Sequence, residues 1–345
     1  MANVKQIADH LQVSSATVSR VLNSRPGIAQ ATRKRVLDAA AELGVDRSVG
    51  LKSSRYIAFI HPLGQFLGNI GEFHAALFGG IGRALGQQQY DMALLDPYRD
   101  KRPDESYTQY FYRKDVQGVI IQVRPNNQHV VNAIADEGFP MIQVSGTSDH
   151  PRASWIVVDS ASAYEQAVEH LYHLGHRRIA MCERDIPDHD HLERIEGFER
   201  GCRRLGLSLE PGLRFRVPSN PRGGGNVIRR ILTLPEPPTA VVFASGRPTR
   251  GAMRMCVELG IRVPEDLSII GFDDADRRFE TMPAYTAVSQ DAESLGDQAA
   301  NALTTLLANP RQDPIRTTLP ANFEVLESTA PPPAPPAPLP ATPSS

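Results

Sequence analysis

Between Val13 and Asn23 the chain reads VSSATVSRVLN, with hydroxyl side chains and one arginine spaced among aliphatic residues. On a helix, Val18, Val21 and Leu22 form an inward stripe, and Ser15, Ala16, Thr17, Ser19, Arg20 and Asn23 take the other side. Apart from Arg20 these side chains are short, so a partner can approach the backbone closely. A hydroxyl bonds a phosphate or a base edge, an alanine methyl meets a thymine methyl, and an arginine pairs bidentately with guanine. The chemistry implied is direct reading of duplex DNA.

The elements that would present these groups are legible on either side. Asn3 with Gln6 three residues on forms a capping-box pattern ahead of the stripe Val4, Ile7, Ala8 and Leu11. A tight corner at Gln12 and Val13 precedes a second helix capped by Ser14. SRPGI breaks the chain, and a third helix follows with Val36, Ala39, Ala40 and Leu43 inside and Gly44 past its end. Three short helices over residues 1–45 make a helix-turn-helix module, whose second helix lies in the major groove.

Charge supports that placement. Residues 1–55 hold nine Lys or Arg against four acids, a net of +5, which leaves −7 for the remainder of a chain whose total is −2. A basic head on an acidic body points to a polyanion bound at the amino end. The 345 residues, 41% hydrophobic and 22% charged, are enough for two or more domains with a sizeable core. No run nears the ~20 apolar residues that cross a bilayer, so no membrane partner is expected, and the start MANVKQIADH lacks an export signal's apolar centre. Cys182, Cys202 and Cys256, odd in number and without paired spacing, fit reduced thiols in the cytoplasm.

Residues 46–55 are polar and irregular and read as a linker. From Tyr56 on, short β-rich runs such as YIAFI, YDMALL, VQGVIIQV and PMIQV alternate with helical patterns, and a second series follows with RRIAMCE, TAVVFAS and LSIIGFDD. Such alternation predicts parallel sheets with crossover helices, and two series predict two similar lobes with a binding crevice beyond the strands' carboxyl ends. The lobes are placed at about 56–158 with 289–317 and about 159–288 with 318–328. PPPAPPAPLPATPSS cannot build a core, so residues 329–345 are expected to be a disordered tail.

VKQIADHLQVSSATVSRVLN closely resembles the headpiece of the lactose-repressor (LacI/GalR) family of bacterial transcription regulators, and ATRKRVLDAAAELG, HLYHLGHRRIA, RIEGFERGCRRLGL and GAMRMCVELGIRVPEDLSIIGFDD resemble later parts of that family in the same order. The resemblance implies an all-α helix-turn-helix headpiece followed by an α/β two-lobed effector domain like that of periplasmic binding proteins. It also implies a repressor of carbohydrate-related genes, in the bacterial cytoplasm on the nucleoid. Its partners would be a pseudo-palindromic double-stranded operator, a second copy of itself in a homodimer or higher oligomer, and a sugar-like effector, with no cofactor and no catalysis. Ser15 and Ala16 fall where the family varies its base-reading pair; Ser14, Thr17, Ser19, Arg20 and Asn23 match base or backbone contacts, and Thr32 a phosphate contact. Two departures stand out. Ala29 replaces a serine cap on the third helix, and the linker lacks the family's Pro-Asn hinge signal, leaving Leu51 as the candidate minor-groove wedge.

For the effector, the resemblance places Arg194, Asp273 and Gln290 at the ligand, with Arg99, Ser145, Ser245 and His61 as weaker placements. SGRPTRG replaces the family's Asn-Asp-containing segment, bringing in Arg247 and Arg250 and losing an acid. Together with Arg99 and Arg194 these predict a cationic pocket for an anionic sugar derivative. Rival chemistry finds less support. DIPDHDHLE clusters acids and histidines, but its spacing matches no tetrahedral metal template and it reads as a polar loop. GGIGRALG and PRGGGN lack the strand-then-acid context of a dinucleotide site. A purely periplasmic sugar binder would share the lobes but not the basic head.

Overall fold

The structure, a computed structural model, describes residues 4–22, 28–29, 32, 35–36, 39–40, 56–61 and 71–333. Asn3, Asn23, the linker 46–55 with Leu51, and residues 334–345 lie outside the described residues.

Two helices open the chain, α1 (Val4–Leu11) and α2 (Ser15–Leu22). Between them Gln12 takes a left-handed φ of 54°. Its N–H bonds Asp9 O at 3.4 Å, and the Val13 N–H reaches back to Ala8 O at 3.0 Å. This is the Schellman closure, here made without glycine. Ser14 starts the next helix by accepting the Thr17 N–H at 3.0 Å. Thr32, Arg35, Val36, Ala39 and Ala40 are helical, and Val36, Ala39 and Ala40 join Ile7, Ala8, Val18 and Val21 in one small core. The described members of the expected inward stripes meet there, while the side chains of Leu22 and Leu43 lie outside what is described.

The remainder divides into two compact units, with boundaries near residues 70, 77, 156, 296 and 316. The strands are β1 (Tyr56–Ile60), β2 (Asp91–Leu95), β3 (Val116–Gln122), β4 (Met141–Val144), β5 (Ser154–Asp159), β6 (Ile179–Arg184), β7 (Arg214–Val217), β8 (Ala240–Phe243), β9 (Ser268–Asp273), β10 (Thr286–Ser289), β11 (Arg316–Pro320) and β12 (Asn322–Glu324). The helices continue as α3 (Glu72–Gln87), α4 (Pro97–Asp100), α5 (Tyr107–Arg113), α6 (Gln128–Asp136), α7 (Ser160–His173), α8 (His189–Arg204), α9 (Pro221–Ile231), α10 (Gly246–Leu259) and α11 (Ala292–Ala308).

One sheet runs β11-β5-β4-β3-β1-β2 and the other β12-β10-β9-β8-β6-β7. Leaving out β11 and β12, both follow the same order, and the paired strands among β1–β5 and among β6–β10 are parallel. The strands β1, β3, β4, β6, β8 and β9 are almost entirely buried because helices cover both faces, and the edge strands β2 and β7 are only partly so. In this order the connections diverge on either side of β1 and of β6. The topological switch point, where ligands bind, is therefore at the carboxyl ends of β1 and β3 in one unit and of β6 and β8 in the other.

The glycine-rich PRGGGN serves packing and not a phosphate. Helices α9 and α10 cross so closely that a Cβ on Gly224 would sit 1.8 Å from Pro248 O, and one on Gly251 would sit 1.9 Å from Pro221 O. Each helix offers a glycine to the other's proline turn. The expected tail begins too early at 329: Ala330 N–H donates to Ser268 Oγ at 3.1 Å and Ala330 O receives His176 Nε2 at 2.9 Å, so Thr329 and Ala330 belong to the folded unit.

Candidate functional site

The headpiece presents α2 as the sequence implies. Ser14, Ser15, Ala16 and Arg20 are exposed, Thr17 and Ser19 are half-buried, and Val18 and Val21 face the core. Ser14 caps the helix: besides accepting the Thr17 N–H, its Oγ lies 2.8 Å from Thr17 Oγ1. The two hydroxyls therefore fix each other at the start of the helix. Thr32 is half-buried and Ala29 exposed at the entry to the third helix.

In the second unit a polar cluster forms at the switch point. Arg194, on the inner face of α8, is 3% exposed. Its guanidinium carbon stands 3.4 Å from the centroid of the Phe272 ring, and Nη1 donates to Ala244 O at 2.8 Å. Its Nε is buried with no hydrogen-bond partner. A buried donor left open costs about 1–3 kcal/mol unless something else fills it. Ser245 follows β8 and caps α10 in position only, since its side chain makes no cap bond; instead Oγ lies 2.9 Å from His191 Nε2. His191 Nδ1 is 2.6 Å from Asp188 Oδ1. Burial lowers the His191 pKa against the pull of Asp188. Burial would raise the Asp188 carboxyl, but the hydrogen bonds and charge of His191 and the charge of Arg194 outweigh it and hold that group well below the usual range. In DIPDHDHLE the loop covers only Asp185–Asp188, and Asp188 caps α8, which holds His189 to Glu193. Among the described residues no group of three or more His, Cys, Asp or Glu side chains is placed to hold a metal.

Of the two acids in GFDD, the second occupies this cluster. Asp273 is turned away and bonded to Arg278, with the Arg278 N–H at 3.0 Å and Nη1 at 2.9 Å on Oδ2, and the Ala275 N–H at 3.3 Å on Oδ1. Asp274 instead takes the Gln290 side-chain amide at 2.6 Å and feels the charge of Arg194. Burial pushes its pKa up to about 6, against the opposing effects of Arg194 and Gln290. β9 ends at Asp273 and Asp274 lies in the bend beyond it, so strand alternation does not assign the second acid a face and the partners of the two acids are read from the structure.

The arginines expected to form a cationic pocket are not assembled as free charges. Arg250 is paired with Glu72 at 2.7 Å. Arg247 is exposed on the first turn of α10. Arg99 belongs to the other unit, where its side chain is 63% exposed and bound to Asp100 at 2.7 Å.

At the switch point of the first unit His61 follows β1, is 3% exposed, and lies 2.7 Å from Arg124 Nη2, which also donates to Gln122 Oε1 at 3.1 Å. Arg124, which the sequence reading passed over, is the cation of this edge. Ser145 directly follows β4 at a left-handed φ of 59°, and its Oγ is buried without a partner. A serine held there at a strand end is a costly arrangement of the kind found where ligands bind.

With that geometry in view, comparison with known proteins is decisive. Residues 3–47 match the family of bacterial regulatory proteins named for lacI, and residues 168–329 match the periplasmic binding protein-like domain. The HTH-type transcriptional regulator MalR of Streptomyces coelicolor is 33% identical over 310 residues, covering 86% of this chain and 88% of that protein. The chain belongs to the LacI family. The HTH-type transcriptional repressor CytR of Escherichia coli is 28% identical, over 86% of this chain and 87% of that relative. The solved complex of transcriptional regulator CelR with cellobiose shares 25% identity at a TM-score of 0.68, covering 95% of this chain and all of that one. This LacI-family chain is a DNA-binding transcriptional regulator with a helix-turn-helix headpiece and a two-sheet α/β body. No helix among its described residues is long and apolar enough to cross a membrane.

Proposed function

We propose that this protein is a cytoplasmic repressor that binds a near-palindromic operator as a homodimer and is controlled by a small polar effector. The headpiece spans 1–45 and the linker 46–55. Ser15, Ala16 and Arg20 read base edges, and Thr17, Ser19, Asn23 and Thr32 help seat the backbone. The linker departs from the family's hinge pattern, so specificity rests chiefly on the headpiece. A footprint with a strong central kink that vanished in Leu51→Ala would contradict that part.

The observation that carries the effector reading is the open Nε of buried Arg194 beside Asp274. A donor next to a carboxylate that Gln290 holds in place suits adjacent hydroxyls on one molecule. With Arg250 balanced by Glu72 and Asp273 occupied by Arg278, the charge pattern favours an uncharged hydroxyl-rich effector over an anionic one. A sugar complex of a relative, CelR with cellobiose, is in keeping with this. In this unit Ser245 and Gln290 are assigned supporting roles and Arg247 a peripheral one; in the other unit, by the resemblance alone, His61 and Ser145 are assigned supporting roles and Arg99 a peripheral one. Coupling of about 1–3 kcal/mol between effector and operator changes affinity about 5–150-fold.

The test is fluorescence anisotropy with a selected operator duplex, titrated with cellobiose, maltose, ribose, nucleosides and sugar phosphates. A shift of at least fivefold with a neutral compound, abolished in Arg194→Ala, is the expected result. Response to sugar phosphates alone would overturn the neutral assignment.

A further inference from the structure

Ser245, His191 and Asp188 stand in the order of a nucleophile, its base and an orienting acid. Ser245 Oγ is 2.9 Å from His191 Nε2, and His191 Nδ1 is 2.6 Å from Asp188 Oδ1. The carboxylate is fixed independently of the imidazole, by the His191 backbone N–H at 3.2 Å and Arg184 Nη1 at 3.2 Å. An ionised carboxylate only accepts, so the proton on the ring sits at Nδ1 and Nε2 is left to accept from the serine hydroxyl. Activated serines are built this way on unrelated folds, and they are recognised by geometry and not by sequence position.

The surroundings fit the same chemistry. Ser245 lies between β8 and α10, flanked by Ala244 and Gly246; a Cβ at Gly246 would stand 2.8 Å from Phe272 O. The start of α10 carries the positive end of that helix's dipole, which suits an oxyanion. Arg194, bonded to Ala244 O, adds a buried Nε donor with no acceptor. Ser245 itself is extended, φ −149° and ψ 139°, and 7% exposed, so a small reagent is the appropriate probe.

We propose that Ser245 is an acylation site for small activated esters, with His191 as base and Asp188 as the positioning residue. In the step, Oγ bonds the acyl carbon as its proton passes to His191 Nε2. The bond from the acyl carbon to the leaving oxygen then breaks, and that oxygen departs with the electron pair. The products are an O-acyl serine and the released alcohol or phenolate, with the transferred proton given up by His191 to the leaving oxygen or to water. No oxidant, metal or further reactant is needed. The inference shares Ser245 and the Arg194 Nε with the effector assignment, but its readout, a covalent adduct, does not require effector binding.

The experiment treats the full-length protein with p-nitrophenyl acetate, quenches at short times, and maps acetylation by mass spectrometry while following p-nitrophenolate release. One acetyl group on Ser245 is expected, absent in Ser245→Ala. His191→Gln should slow Ser245 acetylation by about 100-fold or more, and the wild-type rate should rise with pH through a midpoint below that of an ordinary imidazole. The charged groups facing His191 are Asp188 and Arg194 on its own helix and Arg184 from β6, with the Ser245 hydroxyl from α10. Asp188→Asn, which keeps a capping side chain but removes the charge, should slow the acetylation and move the pH midpoint lower still, a change that a merely structural role would not produce. Thermal unfolding of each variant reports folding, and Ser245→Ala carries the test if the Asp188 variant does not fold. Acetylation confined to lysines, or Ser245 labelled equally fast in His191→Gln, would overturn the proposal, while operator binding on the same samples stands or falls separately.

Discussion

Arg278 Nη1 lies 2.9 Å from Asp273 Oδ2, with the two side chains 11% and 0% exposed. The pair closes the turn after β9, and Arg278 extends it to Asp276 and Glu324 at 2.7 Å each. Removing one member of a dry pair strands the other, so Asp273→Ala should lower the unfolding free energy by about 3–5 kcal/mol, near the low end because Arg278 keeps two other acids. Urea unfolding checks this. Unchanged stability with a lost effector response would return Asp273 to the ligand.

Asp274 gives the opposite sign. Its folded pKa of about 6 is above its ordinary 3.8, so the folded state holds the proton more tightly than the unfolded chain. That contribution is fully present below about pH 4 and is lost as pH rises through about 6. Asp274→Asn should therefore melt at a higher temperature than wild type at pH 7.5, with the gap closing at pH 4. A variant less stable than wild type at pH 7.5 would contradict the account.

The crossing of α9 and α10 predicts a packing defect. Gly251→Ala places a methyl against Pro221 O and Gly224→Ala against Pro248 O, and backbone cannot step aside as a flexible side chain can. Each should cost about 1–3 kcal/mol or more in chemical denaturation. Gly212→Ala, where a Cβ meets nothing within 4 Å, is the control.

In the headpiece the two kinds of serine separate. Ser14→Ala removes a cap and should destabilise α2 by about 1 kcal/mol, weakening all duplexes alike. Arg20→Ala should instead cost about 1–3 kcal/mol at one base position, read as a flattened preference in competition binding with duplexes varied at single positions.

Much of this was legible in the sequence because it depends on local period and composition. The stripe Ile7, Ala8, Val18, Val21 and Val36 and the repeated strand-helix alternation needed no tertiary knowledge. What was missed depended on how a strand ends. Asp273 and Asp274 are adjacent and chemically identical, and only their distant partners, Arg278 for the first and Gln290 for the second, tell them apart. Arg250 looked like a free cation because its partner, Glu72, lies 178 residues away. His191 and Asp188 read as a polar loop because a helix N-cap and a loop use the same residue types.

The central claim is that α2 reads DNA sequence. Selection of bound duplexes from a random pool by the purified protein tests it most directly. Enrichment of a near-palindromic site whose half-sites are one helical turn apart, lost in Arg20→Ala, is the result expected. Recovery of a pool with no sequence preference, at low salt and at physiological salt alike, would contradict it.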